Sequence, residues 1–585
     1  MKRIAIINKQ HCHPDKCGNY WCIGACPVNR TKKECIIKSF DNKVSIIEEA
    51  CIGCGICLKC PFNAIQIVNL PEKLKEDPLH RYGQNMFELF RLPIPKENTV
   101  VGILGRNGIG KSTALQILSN QFTPNLGKYN KTLEEQEIIS RYSKSYLGDY
   151  FKRLFNKDIK ISYKPQRIEF LPKIYKGKVI DLIKKVDEKN IADKLIKELE
   201  LTNVINRNID ELSGGELQRL AILAALVKKA ELIILDEPCA FLDIPQRIKV
   251  AKLIRSLAEK TSILVVEHDL AILDYISDEI QIFYGEQAAY GIVSQSKTVK
   301  RGINEYLDGF LPDDNVRFRN YSIKFTHYHE DRSIKQEVIL DYPEITKSFK
   351  DFKLHISKGE VKKRQILGIM GQNGLGKSTF LKILAGQLEP DNLKLEKTEI
   401  SLKPQQVPLF ENTVEEFLKK DNEHYSSSWF QSNLEKLGLD KLKNNKADEL
   451  SGGELQKTHI LKCLSKEAKI FALDEPSAFI DVEDRLNVSK VIKDFIKQRD
   501  ICALVVDHDF QFMDYLADSI LIFEGIPSKT GKVQQPFKKE EGMNKILKIL
   551  DITYRKDQET GRARINKPNS QKDTQQKKDN VYYEL

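Results

Sequence analysis

The sequence contains no run of 18 or more apolar residues, which leaves no segment able to cross a bilayer as a helix. Its opening, MKRIAIINKQHC, has a short apolar core but no signal-type cleavage site, so a cytosolic location is expected. Beyond residue 60 cysteine is nearly missing: only Cys239, Cys463 and Cys502 occur, each in an apolar segment that reads as packing. A strong charge bias is missing too. The net charge of +11 over 585 residues is a modest excess, compatible with an anionic partner without requiring one. The apolar fraction of 41% is ordinary for folded soluble protein, and the length is too great for one hydrophobic core, so several domains are expected.

What is present is unevenly placed. Nine of the twelve cysteines crowd the N-terminus, at Cys12, Cys17, Cys22, Cys26, Cys35, Cys51, Cys54, Cys57 and Cys60. A cytosolic chain is a poor place for disulfides, so metal binding is the better reading. The rest is dominated by a repeat. The first copy carries 105-GRNGIGKST-113, 212-LSGGE-216, 232-LIILDEP-238 and His268; the second carries 371-GQNGLGKST-379, 450-LSGGE-454, 470-IFALDEP-476 and His508. Gly214 to Asp236 and Gly452 to Asp474 are each 22 residues, so the order and the spacing recur together.

Each part has a chemical reason. The loops Gly105, Arg106, Asn107, Gly108, Ile109, Gly110, Lys111, Ser112, Thr113 and Gly371, Gln372, Asn373, Gly374, Leu375, Gly376, Lys377, Ser378, Thr379 each follow a strand-like run, 100-VVGIL-104 or 366-ILGIM-370. Such glycines let backbone N–H groups wrap phosphates at a helix N-terminus. Lys111 and Lys377 are then expected to hold the β- and γ-phosphates, and Ser112 and Ser378 to ligate Mg²⁺. The runs LIILDE and IFALDE read as buried strands ending in two carboxylates. Asp236 and Asp474 are expected to bind Mg²⁺ through water, and Glu237 and Glu475 to act as general bases on the attacking water.

LSGGE resembles the signature of ATP-binding cassette (ABC) ATPases. That resemblance implies head-to-tail cassettes, each nucleotide lying between one phosphate loop and the opposite signature. Ser213 and Gly215 would complete the site built on Lys377, and Ser451 and Gly453 the site built on Lys111. It also implies that Gln166 in 164-KPQ-166 and Gln405 in 403-KPQ-405 sense Mg²⁺ and the γ-phosphate, that Asp243 and Asp481 are D-loop aspartates, and that His268 and His508 are switch histidines. ATP would close the cassettes and hydrolysis would let them open. Tyr82 and Tyr342, which precede the phosphate loops, are candidates to stack on adenine, with a core position as the alternative for each.

The N-terminal region resembles a two-cluster bacterial ferredoxin, in which the fourth cysteine of each set ligates the other cluster. This implies one [4Fe–4S] cluster on Cys51, Cys54, Cys57 and Cys26, a second on Cys12, Cys17, Cys22 and Cys60, and Cys35 left over. The loops depart from the resembled patterns. Four residues, GNYW, separate Cys17 from Cys22, where the family pattern has three, and two, LK, separate Cys57 from Cys60, where the ferredoxin has three. Zinc is the alternative occupant.

Cluster region plus tandem cassettes resembles the ABC-E family of ribosome-recycling ATPases, also called RNase L inhibitor. The likeness extends to 26-CPVNRTKKECI-36, 65-IQIVNLPEKL-74, 80-HRYGQNMFELFRLPIP-95, 302-GINEYLDGFLPDDNVRFR-319 and 564-RINKPNSQKD-573. The fold it implies is α/β: two tandem ABC-type P-loop ATPase domains preceded by a small ferredoxin-like α+β iron–sulfur domain. The expected division is 1–73 iron–sulfur domain, 74–295 first cassette, 296–330 hinge, 331–550 second cassette and 551–585 C-terminal hinge segment. Taken alone, KPNSQKDTQQKKDN reads as a disordered tail.

Lys111 to Gln166 spans 55 residues and Lys377 to Gln405 only 28. The excess, about 130–160, shows helical spacing broken near Gly148 and predicts a helix–loop–helix. By resemblance it touches small-subunit ribosomal RNA, with Arg141, Lys144 and Ser145 as candidate contacts. The implied partners are the ribosome and a release factor or its stall-rescue relative, with initiation factors possible; a monomer without membrane partners is expected. The implied activity is ATP hydrolysis coupled to subunit splitting, with ATP, Mg²⁺ and two [4Fe–4S] clusters as cofactors. Another soluble ABC-type translation factor, and an iron–sulfur ATPase with a redox role, are the alternatives.

Overall fold

The apolar runs VVGIL and ILGIM become central strands of two sheets that share one strand order. The computed structural model describes residues 2–584 except 8, 40, 49, 63, 71–76, 326–336 and 396–398. The expected boundaries at 73/74 and 330/331 lie outside the described residues. Packing divides the chain into two units. One is Met1–Leu242 with Lys249–His268 and Ile276–Ser322; the other is Ile323–Leu585 with Asp243–Ile248 and Asp269–Tyr275.

In the first unit the parallel strands run Ile161–Lys164, Leu232–Asp236, Ser262–Val266, Val100–Leu104 and Glu279–Glu286. The sheet continues through Tyr290–Val293 to the hairpin His80–Arg81 and Glu88–Leu89. The second unit repeats the order with Ile400–Lys403, Ile470–Asp474, Cys502–Val506, Ile366–Gly371 and Ser519–Ile526, then Thr530–Val533 and the hairpin Ile345–Ser348 and Lys353–Ile356. Strands buried on both faces need continuous apolar sequence, and LIILD and IFALD are buried throughout. Because these strands are parallel, the loops that leave their carboxyl ends gather at one edge. That edge carries phosphate loop, acid, glutamine and histidine together.

The expected insertion is a helix pair, Glu135–Arg141 and Tyr146–Phe155. Ile138, Leu147, Tyr150, Phe151 and Leu154 bury against the core under the phosphate-loop helix, and Tyr150 Oη donates to Leu118 O at 2.6 Å. The break falls at 142–145, not at Gly148. Gly148 sits inside the second helix, where a Cβ would lie 2.3 Å from Tyr142 O. It is there for close approach, not for a turn.

The polar C-terminus is folded. Strands Tyr554–Lys556, Ala563–Ile565 and Tyr583–Glu584 form a small sheet beside the helix Gln571–Lys578, which Ser570 caps. Thr553, Asn566, Asp573 and Gln576 are buried and bond to one another: Thr553 Oγ1 to Asp573 at 2.7 Å, Asn566 Nδ2 to Thr553 at 2.9 Å, and Asn566 also to Gln576. This hydrogen-bonded polar cluster supplements a small apolar core of Ile552, Tyr554, Ala563, Ile565 and Tyr583.

The N-terminal region pairs Lys2–Ile7 with Ile65–Leu70 and Ile36–Lys38 with Val44–Ile46. Among the described residues its main core cluster holds twelve buried residues, and five of them are cysteines: Cys12, Cys22, Cys26, Cys35 and Cys57. So little apolar surface cannot hold a fold of this size without a cross-link or a metal. Among the described residues no helix is long and apolar enough to cross a membrane.

Candidate functional site

Each phosphate loop wraps its own lysine. Lys111 Nζ donates to Gly105 O and Arg106 O at 2.7 and 2.6 Å, and Lys377 Nζ to Gly371 O and Gln372 O at 2.8 and 2.7 Å. Gly110 and Gly376, at φ 90 and 94, begin the helices Lys111–Leu118 and Lys377–Leu384. Ser112 Oγ lies 3.3 Å from Asp236 Oδ2, so the two residues expected around Mg²⁺ already meet. Burial, then the charge of Glu237, pushes the Asp236 carboxyl up to about 6. A bound cation would reverse that penalty.

The glutamates sit at the same strained turn. Glu237 has φ 48 and Glu475 φ 47, left-handed values that cost a non-glycine residue about 1–2 kcal/mol. The turn aims each carboxylate at the same partners. Gln166 Nε2 donates to Glu237 Oε1 at 2.6 Å, and Gln405 Nε2 to Glu475 Oε1 at 2.6 Å. His268 Nε2 lies 3.3 Å from Glu237 Oε1, and His508 Nε2 3.6 Å from Glu475 Oε1. Glutamine, glutamate and histidine therefore converge in each unit. Burial holds the His508 imidazole well below its usual value, with Lys377 and Arg247 adding to the effect.

The signatures are capping boxes. Ser213 caps the helix Gly214–Leu226, and Glu216 reaches back to its N–H at 2.8 Å; Ser451 and Glu454 repeat this on Gly452–Leu464, also at 2.8 Å. Ser213 and Ser451 are exposed, with Gly215 and Gly453 partly so, at the N-termini of 13-residue helices. Such ends attract anions. Within the second unit Asp243 Oδ2 accepts from the Asn373 N–H at 2.8 Å. Asp481 caps the helix Val482–Lys497.

The aromatic expectation needs correcting in one copy. Tyr82 is 44% exposed and its Oη lies 3.1 Å from Thr113 Oγ1. Tyr342 is 1% exposed and packs edge-on against Phe380 in the core, so it offers no face to a base. The residue equivalent to Tyr82 is Phe349, 45% exposed. Tyr82 N donates to Phe87 O and Phe349 N to Phe352 O, closing equivalent hairpins. Sequence reasoning also missed Phe87 and Phe352, whose ring atoms would meet a Cβ on Gly110 and Gly376 at 2.5 and 3.1 Å. Only the hairpin register could have shown them.

Arg141, Lys144 and Ser145 lie at the bend of the inserted helix pair. All three are exposed, and Arg141 faces Asp77 at 3.4 Å.

The cysteines gather in two cavities. Cys12, Cys17, Cys22 and Cys60 line one, with Tyr20, Val44 and Ile65 among the other walls. Cys26, Cys51, Cys54 and Cys57 line the other, and Cys35 joins them as a fifth thiol. Both exchanges expected from the ferredoxin likeness, Cys26 to the later set and Cys60 to the earlier, are present in this grouping. Burial, then neighbouring cysteines, pushes Cys22 and Cys35 up to about 12 and Cys57 to about 11. Four thiolates in such an apolar cavity need a cationic centre, which an iron–sulfur cluster supplies. The altered loops are absorbed locally. Gly18, Asn19 and Tyr20 turn left-handed in succession at φ 80, 57 and 65, and Ile56–Lys59 forms a tight 3₁₀ turn that brings Cys60 N to Cys57 O at 3.2 Å.

Comparison with known proteins agrees with both halves of this picture. The ABC transporter family matches residues 94–240 and 354–478, and a possible Fer4-like domain in RNase L inhibitor matches 3–34. The translation initiation factor RLI1 of Saccharomyces cerevisiae is 43% identical over 598 residues, covering 100% of this chain and 98% of its own. A solved complex of the archaeal ribosomal stalk protein aP1 with the archaeal ribosome recycling factor aABCE1 aligns at TM-score 0.83 and 46% identity, covering 88% of this chain and 100% of that one. A structure of ribosome-bound archaeal Pelota and ABCE1 aligns at TM-score 0.93 and 47% identity, covering 100% and 99%. Likeness of this depth, running through the cysteine region and both cassettes alike, means that the chain belongs to the ABC-E family of ATPases, the RNase L inhibitor family.

Proposed function

We propose that this protein is an ATP-driven ribosome recycling factor of the cytoplasm that splits ribosomes into subunits after termination or stalling. One observation carries the reading. A single chain holds two full sets of ATP-handling groups, each converging on one glutamate, behind a domain whose core is rich in cysteine. In this reading Lys111 and Lys377 hold the β- and γ-phosphates, Ser112, Gln166 and Asp236 or Ser378, Gln405 and Asp474 hold Mg²⁺, and Glu237 and Glu475 activate water. Tyr82 in one cassette and Phe349 in the other stack on adenine. Ser213 with Gly215, and Ser451 with Gly453, each complete the nucleotide site of the other cassette, so ATP binding closes the pair. Two [4Fe–4S] clusters, on Cys12, Cys17, Cys22, Cys60 and on Cys26, Cys51, Cys54, Cys57, stiffen the N-terminal domain so that it can transmit that closure. Segments 296–330 and 551–585 serve as hinges, and Arg141, Lys144 and Ser145 contact ribosomal RNA phosphates.

The relatives solved with a ribosomal stalk protein and with Pelota on the ribosome support the partner assignment: the small subunit beside a release factor or its stall-rescue relative. The test is a sucrose-gradient assay. Purified protein, release factor and ATP should convert post-termination ribosomes to subunits, and persistence of intact ribosomes rejects the reading.

A further inference from the structure

The motif KPQ contains a lysine that the ATP-handling scheme leaves without a task. Lys164 and Lys403 end the strands Ile161–Lys164 and Ile400–Lys403, and each is 1% exposed. A buried ammonium is costly, so its partners matter. Lys164 Nζ donates to Asp236 O at 2.8 Å and Glu237 O at 3.1 Å; Lys403 Nζ donates to Asp474 O at 2.8 Å and Glu475 O at 3.2 Å. The same two carbonyls are engaged in both copies, with nearly the same lengths. They are the carbonyls on either side of the left-handed glutamate. On the amide side the glutamates are tied to the neighbouring strand, Glu237 N to Val266 O at 2.9 Å and Glu475 N to Val506 O at 2.8 Å. Two residues after each lysine, Gln166 or Gln405 grips the glutamate carboxylate. Pro165 or Pro404 lies between and fixes φ.

We infer that Lys164 and Lys403 are positioning residues for the hydrolytic step: with the glutamine of the same motif, each braces one glutamate by backbone and carboxylate together, holding it in the conformation that faces the attacking water. Each ammonium is engaged by the two turn carbonyls, so the lysine acts through the turn. Charge-assisted bonds from one cation to two successive carbonyls hold a strained peptide more firmly than neutral donors would. Burial pulls both ammoniums down to about 8, while Asp236, Glu267, Glu237 and Cys239 around Lys164, and Asp474, Glu475, Asp507 and Cys463 around Lys403, favour the charged form.

This inference rests on the glutamates being the bases, so the experiment separates the two. In the full-length protein, Lys164→Met/Lys403→Met should lower kcat for ATP by about 10²-fold while KM stays within about twofold. Binding of a fluorescent ATP analogue should be unaltered. In a Glu237→Gln/Glu475→Gln background the same lysine changes should add no further loss, because a misplaced glutamine has no base function left to lose. An unchanged kcat, or an equal loss in both backgrounds, overturns the positioning role. Full turnover in the glutamine pair alone overturns the base reading instead. Should the methionine chain fail to fold, Lys164→Arg/Lys403→Arg keeps the buried charge but displaces it: a normal melting curve with reduced kcat supports the brace, and a full rate removes it.

Discussion

The two glutamates share one geometry and differ in charge. Each stands at a left-handed turn with φ of 48 or 47, and each accepts from a glutamine at 2.6 Å. Yet their carboxyls move in opposite directions. Burial would raise Glu237, but the bond and charge of His268, with Lys111 and Lys164, bring it down to about 2. Burial raises Glu475, the charges of Asp507 and Asp474 add to it, and Lys377 and Gln405 offset only part, so it stands near 7. The residue before His268 or His508 differs between the copies, Glu267 against Asp507. Both accept from the backbone N–H at the equivalent position, Cys239 or Ser477, but the charge of Asp507 raises Glu475, whereas at Glu237 the bond and charge of His268 outweigh burial. The motifs therefore set where the groups stand, and the charges around them, His268 at one glutamate and Asp507 with Asp474 at the other, set how they titrate.

The largest effect expected tests whether both copies work at all. Glu237→Gln/Glu475→Gln should lower ATP turnover by about 10²–10⁴-fold, the usual worth of a general base. Each single variant then reports the other site. Steady-state hydrolysis reads all three, and full turnover in the double variant would remove the basis of the comparison.

Acidity separates the sites next. A carboxylate serves as base only when deprotonated, so a raised value means that activity begins to fail at higher pH. With Glu237→Gln, only Glu475 remains, and the rate should fall as pH drops through about 7. The decline should be about tenfold per pH unit. With Glu475→Gln the remaining Glu237 should give a flat limb down to about pH 5. Asp507→Asn removes one of the charges that raise Glu475, so its limb should move to lower pH. Coincident limbs in the two single variants would contradict the electrostatic difference.

Much of this was legible in the sequence because phosphate chemistry imposes fixed spacing. The loop, the acid strand, the glutamine and the histidine all emerge from parallel strand ends, and apolar runs such as LIILD announce those strands. The pairing of Cys26 with the later cysteines and Cys60 with the earlier ones was legible for a similar reason: the cysteine spacing, departures aside, follows the ferredoxin's crossed pattern. Other features were hidden because they depend on tertiary register. Tyr342 and Phe349 both precede the phosphate loop, and only the hairpin Ile345–Ser348 with Lys353–Ile356 shows that Phe349 is the exposed one. Gly148 reads as a breaker until Tyr142 O is found beside it. Residues 567–580, taken alone, read as a tail because composition registers missing apolar surface, not hydrogen bonds that Asp573 and Gln576 make with Thr553 and Asn566 only when folded. Lys164 and Lys403 look like surface charge until their strands place them under the acid turn.

The smallest effect sharpens the same comparison by one atom. Where the second cassette has Ser477, the first has Cys239. Ser477 Oγ donates to Asp507 Oδ1 at 2.7 Å and its N–H to Oδ2 at 3.0 Å. Burial and Asp509 raise the Asp507 carboxyl, and the Ser477 bonds lower it, which helps to keep Asp507 charged. Ser477→Cys leaves the backbone bond but replaces the hydroxyl with a weak S–H donor. Asp507 should then protonate more readily, and a neutral Asp507 no longer pushes on Glu475. In the Glu237→Gln background the acid limb should therefore slide to lower pH, by less than about one unit and by less than Asp507→Asn achieves. The reciprocal Cys239→Ser, read in the Glu475→Gln background, should leave the flat limb flat, because Glu267 is held by the backbone N–H of Cys239 at 2.7 Å. A limb that stays in place or moves upward in Ser477→Cys would mean that the charge on Asp507 is not what separates the two glutamates.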